Sequence, residues 1–439
     1  MKLMFDCQAI QGFLRLYGIG RYSRDLLDTL LTRSEIELSL LISTALPEPD
    51  RLDELAANAN IVYWTPITPS PFSQLECQWR YRVNERLRDA VIRKHQPDVV
   101  LVCSHFDGFG EDTVTPTFIT PSTPHITIIH DLIHLIYPEV YLITQPLKAF
   151  YLQKVAHLAD THMVATISDA TRQDVLKLTD ARAEKVVNIG CGVPRFLLGQ
   201  QSERNVAPYL LFVGDGNPRK NHDYLVRSAA LMREFNINVP IVCVGKLSDS
   251  KLAQLQALRD QLQLSAKHID FVGFVDDARL IELYAGAAAL VFPSKYEGFG
   301  LPLAEAMHFG LPILAADTLL NREILGDDAG LFDLTDERTL VDKVDKLHTD
   351  KVFKTHLEQV SKHALTKLNW DNVVDRLIAC AEQLSAAPKP DPASDNDIGA
   401  TLVNDIQAAE FDFDVPPNDN DYRHAARAIA INLPGYLAE

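Results

Sequence analysis

The chain has 439 residues, 47% of them hydrophobic and 23% charged, and a formal net charge of −17 at pH 7. The length suits two domains, and the acidic balance argues against a general nucleic-acid-binding protein. The sequence contains no run of 18 apolar residues and no signal-peptide pattern at its start. Its six scattered cysteines lack Cys-x-x-Cys spacing, which predicts free thiols in a cytoplasmic protein.

Short apolar runs alternate with amphipathic segments along most of the chain. Runs that are apolar on both faces and separated by helical patterns are typical of parallel sheets covered by helices. The first half predicts strands at KLMFDC, ELSLLIS, NIVYWT, DVVLVCS, HITIIHD, HMVATIS and KVVNIG. The second half predicts strands at YLLFVGD, VPIVCVGK, IDFVGFV, AALVFPS, PILAAD and AGLFD.

The strand series restarts after residues 188–208, which are polar and rich in turn-forming residues. We therefore expect an α/β protein with two doubly wound Rossmann-like domains that face each other across a central cleft. The predicted domains are residues 1–200 and 201–386, followed by an acidic tail at 387–439. In such sheets ligands bind at the carboxyl ends of the strands.

The acidic tail is rich in Pro, Asp, Asn and Ala and is predicted to be mostly unpacked. Its helix-like end, YRHAARAIAINL, indicates that the chain is one module of a longer protein, with the tail as a contact to a further domain or to other biosynthetic enzymes. Three Asp-x-Asp triplets lie in the tail with no strand before them, so we interpret them as solvated charge and expect no metal site. They are Asp395/Asp397, Asp412/Asp414 and Asp419/Asp421.

The segment SKYEGFGLPLAEAMHFG, Ser294 to Gly310, has the pattern of a strand-to-helix turn. Gly298 and Gly300 allow close backbone approach, Pro302 suits the first position of a helix, and Gly310 suits its end. Free amides at a helix N-terminus attract phosphate. The amides of Phe299 to Leu303 are therefore predicted to bind a diphosphate, and the candidate residues are Gly298, Phe299, Gly300 and Leu301.

Two glutamates bracket this turn. Glu305, about one turn into the helix, is placed to accept the hydroxyls of a ribose, as acids do in dinucleotide-binding folds. Glu297, on the loop before the turn, would reach the sugar side of a nucleotide diphospho-sugar. The alternative is that Glu305 only complements the helix dipole and Glu297 is a solvated loop acid.

With these residues in place, EGFGLPLAE followed by HFGLPILAAD resembles the Glu-x7-Glu signature of retaining glycosyltransferases of the GT-B fold, family 4. Further similar segments are GIGRYSRDLLDTL, IIHDLIHLIYPE, ATISDATRQDV and LLFVGDGNPRKNHDYLVRSAALM. The resemblance covers roughly residues 1–384. It implies a nucleotide-sugar-binding second domain and an acceptor-side first domain.

Arg219 and Lys220 follow the strand YLLFVGD and are predicted to neutralise the donor diphosphate and the leaving nucleotide. A solvated surface pair is the alternative. Family members often carry an arginine where this chain has Asp215, so Arg219 is the expected substitute.

The resemblance also implies roles for the first domain. His130 would lie beside the donor sugar, and Asp131 would orient its ring. Gly18 and Gly20 are predicted to form a loop that closes on the donor or acceptor, with a helix-capping turn as the alternative. Ser168 is expected only to cap a helix.

Residues 74–94 form a basic amphipathic helix with Trp79 and Tyr81. A peripheral contact with the inner face of the membrane and an ordinary surface helix are the two interpretations.

The sequence thus predicts a retaining transferase that moves a sugar from a nucleotide diphospho-sugar to a hydroxyl of a glycan or lipid-linked saccharide. GDP-mannose and polysaccharide or O-antigen synthesis follow from the resemblance alone. No cofactor, metal or nucleic acid is expected. The alternative is a catalytically silent relative that serves as a scaffold or complex subunit. An NAD-dependent oxidoreductase is disfavoured because YGIGRYS lacks the third glycine of that fingerprint.

Overall fold

A computed structural model describes residues 1–199, 209–386, 400, 402–404 and 417–433. The chain forms two compact units. Unit 1 contains residues 1–190 and continues from Trp370, whereas unit 2 consists of Cys191–Asn369. The chain therefore leaves unit 1 after Gly190, inside the segment where the sequence predicts a boundary, and returns to it at Trp370.

Unit 1 is built on a seven-stranded parallel sheet with the order β3-β2-β1-β4-β5-β6-β7. Its strands are β1 (Lys2–Asp6), β2 (Glu37–Ser43), β3 (Asn60–Trp64), β4 (Val99–Val102), β5 (His125–Ile129), β6 (Met163–Thr166) and β7 (Val186–Asn188). The central strands β4, β5 and β6 are buried along their whole length, because helices cover both faces of a parallel sheet.

The helices of unit 1 come from two parts of the chain. The first part supplies α1 (Gln8–Gln11), α2 (Gly18–Leu30), α3 (Leu52–Ala56), α4 (Leu75–His95), α5 (Ile133–Ile136), α6 (Pro138–Tyr141), α7 (Gln145–His157) and α8 (Asp169–Leu178). The part after unit 2 supplies α16 (Trp370–Ser385) and α17 (Asp419–Asn432).

Unit 2 has a six-stranded parallel sheet with the order β10-β9-β8-β11-β12-β13. The strands are β8 (Leu210–Val213), β9 (Ile241–Val244), β10 (Ile269–Gly273), β11 (Ala289–Phe292), β12 (Ile313–Ala316) and β13 (Leu331–Phe332). The helices are α9 (His222–Glu234), α10 (Asp249–Gln261), α11 (Asp277–Gly286), α12 (Leu301–His308), α13 (Leu319–Leu325), α14 (Glu337–Thr349) and α15 (Lys351–Leu365).

All thirteen predicted strands are present, and the prediction of two Rossmann-like domains is confirmed. In each sheet the strand order reverses beside the first strand, between β1 and β4 in unit 1 and between β8 and β11 in unit 2. In open parallel sheets ligands bind beyond the carboxyl ends of the strands at this reversal. The loops after these four strands are therefore where each unit is expected to bind a ligand.

Helix α16 packs on unit 1, whereas the sequence assigns residues 201–386 as a whole to the second domain. The Trp370 ring lies against Tyr22 of α2, with 5.0 Å between ring centroids. Arg376 donates to the carbonyl oxygen of Ile189 at 3.2 Å, and Arg33 pairs with Asp371 at 3.0 Å. These contacts tie the return segment to the unit in which the chain begins.

Helix α17 covers one face of α4, although the sequence predicts a mostly unpacked tail. Arg80 of α4 pairs with Asp421 of α17 at 2.7 Å, and Asn432 exchanges two 2.9 Å hydrogen bonds with the backbone of Thr65. The interpretation of Asp421 as solvated charge is therefore wrong. The triplets at 395/397 and 412/414 lie outside the described residues.

The rings assigned to membrane contact are buried. Trp79 is 2% exposed and packs in one cluster with residues of α17, and Tyr81, on the same helix α4, is fully buried in the core beside the sheet. Neither side chain can contact a lipid surface in this packing. Among the described helices, none has the length and hydrophobicity needed to cross a bilayer.

Candidate active site

The loop after β8 presents two cations at the strand reversal of unit 2. Asn217 caps a short 3-10 turn, Pro218–Lys220, by accepting a hydrogen bond from the Arg219 amide at 3.2 Å. Asn221 then adopts the left-handed conformation, with φ of 59°, and directly precedes α9. This turn fixes the backbone of Arg219 and Lys220 at the carboxyl edge of the sheet.

The loop after β11 lies beside the first loop, because the Lys295 amide donates to the Arg219 carbonyl at 2.8 Å. Gly300 ends this loop with φ of 85° and precedes α12. A side chain there would place Cβ 3.1 Å from the Phe292 ring and 3.3 Å from Leu303. The left-handed backbone and the close packing both require glycine at this position.

Glu297 joins the two loops through an ion-pair cluster. Its Oε1 lies 2.6 Å from Lys220 Nζ, and its Oε2 pairs with Arg219 Nη1. The three side chains are largely withdrawn from solvent, with 10% of Glu297, 9% of Lys220 and 20% of Arg219 exposed. The sequence places Glu297 on the sugar side of the ligand and the cations on its diphosphate; the structure brings all three together.

The charge state of Glu297 follows from these contacts. Burial alone would raise the pKa of its carboxyl, but Lys220 and Arg219 together lower it by more, and the pKa lies below its usual value. Lys220 Nζ also lies 5.6 Å from the centroid of the Phe292 ring. The cluster therefore contains two cations and one carboxylate anion at neutral pH.

The helix after this loop begins one residue earlier than predicted. Helix α12 starts at Leu301, so Pro302 occupies its second position. The amide of Leu303 donates to the Gly300 carbonyl at 2.8 Å, and Pro302 has no amide hydrogen. The candidate phosphate-binding amides are therefore those of Phe299, Gly300 and Leu301.

Glu305 lies on α12 and is 4% exposed. Its Oε2 accepts a 2.6 Å hydrogen bond from the hydroxyl group of Tyr284, at the end of α11. Gly310 follows α12 with φ of 63°, as expected for a residue that ends a helix. Tyr284 was not identified from the sequence, because α11 and α12 are separated by a strand and only the fold brings the two side chains together.

His130 follows β5 in unit 1 and is 8% exposed. Its Nε2 lies 3.1 Å from the Cys103 carbonyl oxygen, which can only accept, so Nε2 carries the hydrogen. Burial lowers the pKa of His130 to about 4, against the opposing effect of that hydrogen bond. The ring is therefore neutral near pH 7, and its Nδ1 is a hydrogen-bond acceptor.

The side chains of Asp131 and Ser168, the other candidates of unit 1, accept hydrogen bonds from nearby backbone amides. Asp131 accepts from the Ile133 amide at 2.9 Å, whereas the His130 ring is oriented by a carbonyl group. Ser168 caps α8 as predicted, by accepting from the Thr171 amide at 3.1 Å.

The prediction that Gly18 and Gly20 form a loop is wrong, because both lie in the first turn of α2. A Cβ atom on Gly20 would meet the Leu14 carbonyl oxygen and Arg15 Cα at 2.5 Å. Glycine at position 20 thus lets the helix pack against the 3-10 turn Phe13–Leu16. A contact of Gly18 and Gly20 with the donor or acceptor remains a prediction.

Unit 1 contains a cavity of about 520 Å³ beside its own strand reversal, lined by the loops after β1, β2 and β4. Phe13, which is 60% exposed, and Phe109 contribute aromatic surface, and Asp107 and Glu111 contribute carboxyl groups. Glu111 accepts from the Phe13 amide at 2.9 Å. Among the described residues, buried Asp107 Oδ2 has no hydrogen-bond partner. The signal in the sequence is the segment HFDGFGED after the fourth strand, which combines aromatic, acidic and glycine residues.

No group of three or more His, Cys, Asp or Glu residues within the described parts of the chain is arranged to hold a metal ion. All six cysteines are buried thiols, and none of them forms a disulfide.

Two parallel sheets with a Rossmann strand order define an α/β protein of the GT-B type. Residues 198–365 match the family model for glycosyl transferases group 1. This match includes the cation cluster of unit 2, and the family resemblance of the sequence is confirmed over these residues.

Two curated relatives and one solved structure place this match in context. The chain is 27% identical over 396 residues to the serotype-specific mannosyltransferase WbdA of Escherichia coli, covering 85% of this chain and 47% of that protein. It is 28% identical over 353 residues to the O-antigen chain mannosyltransferase B of Escherichia coli, covering 75% and 86%. The chain spans less than half the length of the WbdA proteins that it matches.

The crystal structure of Anabaena Alr3699/HepE in complex with UDP and glucose is similar in fold. It matches with a TM-score of 0.62 at 17% identity, over 88% of this chain and 100% of that one. At this identity the similarity concerns the fold alone.

Proposed function

We propose that this chain is a retaining glycosyltransferase that moves a sugar from a nucleoside diphosphate sugar to a hydroxyl of a saccharide. The observation that carries the proposal is the buried cluster of Arg219, Lys220 and Glu297 at the strand reversal of unit 2. A cluster that keeps two cations largely out of solvent at a sheet's carboxyl edge suits a ligand with several negative charges.

The donor binds through its diphosphate and its ribose. Arg219 and Lys220 neutralise the diphosphate, and the amides of Phe299, Gly300 and Leu301 donate to its oxygens. Glu305 accepts the ribose hydroxyls. Glu297 shifts from the cations to hydroxyls of the donor sugar, since a diphosphate supplies the cations with more negative charge than one carboxylate does.

The chemical step is a displacement on the face of the sugar that the diphosphate leaves. The bond from the anomeric carbon to the diphosphate oxygen breaks, and the acceptor oxygen bonds to the same face, which retains the configuration. The departing diphosphate takes the acceptor proton and stays bound to Lys220 and Arg219, which stabilise its charge. Neutral His130 accepts a hydrogen bond from a sugar hydroxyl through Nδ1.

The proposed donor is GDP-mannose and the transferred sugar is mannose, because the two curated relatives described above are mannosyltransferases. The acceptor is a saccharide of a growing polysaccharide or O-antigen, free or linked to a lipid. The cavity of unit 1 is proposed to hold the acceptor sugar, because aromatic rings beside carboxylates suit the apolar faces and hydroxyls of a sugar.

The test is a calorimetric panel of GDP, UDP, ADP and dTDP with their common sugars, followed by transfer assays. We expect selective binding of GDP and GDP-mannose, and transfer to an oligosaccharide ending in mannose, with the product configuration read by NMR. Binding without transfer to any saccharide would favour the scaffold alternative. An absence of binding across the panel would overturn the donor assignment.

A further inference from the structure

Glu305 is held from behind by a residue that the proposed donor does not contact. The Tyr284 hydroxyl donates to Glu305 Oε2 at 2.6 Å. Tyr284 is fully buried, whereas 4% of Glu305 remains exposed. The tyrosine thus lies on the protein side of the carboxylate.

The Tyr284 ring has little freedom to move. It stacks on Phe309, with 5.7 Å between ring centroids and 3° between ring planes. Tyr284 belongs to α11, and Phe309 directly follows α12, the helix that carries Glu305. The stacked pair therefore fixes the hydroxyl relative to the helix on which the carboxylate lies.

A buried carboxylate requires hydrogen-bond donors. A donor held on one oxygen restricts the rotation of the carboxylate and thereby orients the other oxygen. A carboxylate has about four acceptor positions, of which the Tyr284 hydroxyl uses one. Two adjacent ribose hydroxyls need two positions in a fixed direction.

We propose that Tyr284 is a positioning residue that orients Glu305 to accept the two ribose hydroxyls of the donor nucleotide. The proposal rests on the function proposed above for Glu305. It assigns to Tyr284 the discrimination between ribose and deoxyribose, because a site built to hydrogen-bond a hydroxyl rejects a ligand that lacks it.

The experiment compares the wild type with Tyr284→Phe, which removes only the hydroxyl. Dissociation constants are measured by calorimetry for GDP and 2′-deoxy-GDP, with UDP and 2′-deoxy-UDP in parallel. We expect the wild type to bind the ribonucleotide at least about tenfold more tightly. In Tyr284→Phe the ribonucleotide affinity falls roughly five- to tenfold and the two affinities converge, while kcat at saturating donor changes little.

Tyr224→Phe is the matched control. Tyr224 is also fully buried in unit 2 and stacked on a phenylalanine, and its hydroxyl donates to the Asp333 carbonyl at 3.0 Å. Loss of that hydroxyl tests packing in the same unit away from the nucleotide. We expect this variant to retain the wild-type ratio of the two affinities.

The outcomes separate this inference from the proposed function. If the wild type binds no nucleotide, the proposed function fails and this inference falls with it. If the wild type discriminates and Tyr284→Phe discriminates equally, Tyr284 is structural and only this inference fails. Should Tyr284→Phe prove unstable, Glu305→Gln provides a second test: its ratio must also fall, and a ratio that stays at the wild-type value overturns the inference.

Discussion

The strand reversals of the two units share a topology and differ in their chemistry. In unit 2 the loops after β8 and β11 carry Arg219, Lys220 and Glu297 as a buried ion-pair cluster. In unit 1 the loops after β1 and β4 carry aromatic rings and carboxylates around a cavity. The sheet order therefore determines where a ligand binds, while the loop side chains determine which ligand binds.

The two edges also differ in how they respond to charge. The unit 2 edge contains two positive charges beside one negative charge, so an anion with more negative charge can compete with the Glu297 carboxylate for the two cations. The cavity of unit 1 is lined by two acidic side chains and one basic side chain, Arg15, and His130, after β5 of the same unit, is neutral near pH 7. An anionic donor is therefore expected to bind to unit 2 and an uncharged sugar to unit 1.

The largest expected effect comes from removing a cation of unit 2. Lys220→Met should lower kcat/KM for transfer roughly a thousandfold, because the leaving diphosphate loses a donor and Glu297 loses one partner. Steady-state kinetics with the donor varied will measure it. Lys251→Met, which breaks the 2.8 Å pair with Asp223 in the same unit, should stay near the wild type; equal losses would contradict the site.

Removing the anion of the same cluster should separate binding from transfer. Glu297→Gln is expected to lower kcat roughly a hundredfold, while GDP binds as tightly as before or more tightly. The physical reason is that the carboxylate no longer competes with the diphosphate for Lys220 and Arg219. Calorimetry with GDP measures the binding, and weaker binding in the variant would show that Glu297 instead organises the cations.

The neutral His130 of unit 1 predicts a pH-dependent stability. Its pKa is about 4 in the folded protein and about 6.5 unfolded. Above pH 6.5 both states are neutral; as the pH falls further, only the unfolded state takes up the proton, so stability is lost down to about pH 4. Between pH 7.5 and 5 the loss is about 2 kcal/mol.

Denaturant unfolding of the wild type and His130→Gln at these two pH values measures that component. The other buried histidines are present in both proteins, so their contributions cancel in the difference. The variant should lose about 2 kcal/mol less stability than the wild type between pH 7.5 and 5. Equal losses in both proteins would place the His130 pKa near its usual value.

The smallest effect is expected at the aromatic rim of the unit 1 cavity. Phe13→Ala should raise KM for the saccharide acceptor about five- to tenfold, as loss of one aromatic contact does, and leave the donor KM unchanged. Phe274→Ala removes a more exposed ring, 79% exposed, from unit 2 and serves as the control. An unchanged acceptor KM with Phe13→Ala would mean that this cavity does not bind the acceptor.

The sequence was most informative where the residues interact locally. The thirteen strands follow from continuous apolar runs, and the turn before α12 follows from Gly300 and Pro302. The sequence predicts the three members of the ion-pair cluster but not that they contact one another. Lys220 and Glu297 are distant in the sequence and are brought together only because their strands are adjacent. Tyr284 was missed for the same reason.

The wrong predictions also have a physical cause. The sequence predicts a loop at Gly18 and Gly20 because the two glycines follow the first strand as part of a glycine fingerprint, yet Gly20 is needed for close packing of α2 against Leu14. Trp79 was interpreted as a surface residue because nothing near it in the sequence indicates that α17 covers it. Contacts between residues more than 300 positions apart leave no local pattern in either segment.

The return of the chain to unit 1 has a consequence for its synthesis on the ribosome. Unit 2 is continuous in sequence and can fold as soon as it emerges, but unit 1 lacks α16 and α17 until all of unit 2 has been synthesised. At about 5–20 residues per second, roughly ten to fifty seconds separate Gly190 from Leu433. During that interval the apolar surface around Trp79 is not yet covered by α17. We therefore expect the nascent first unit to bind a chaperone.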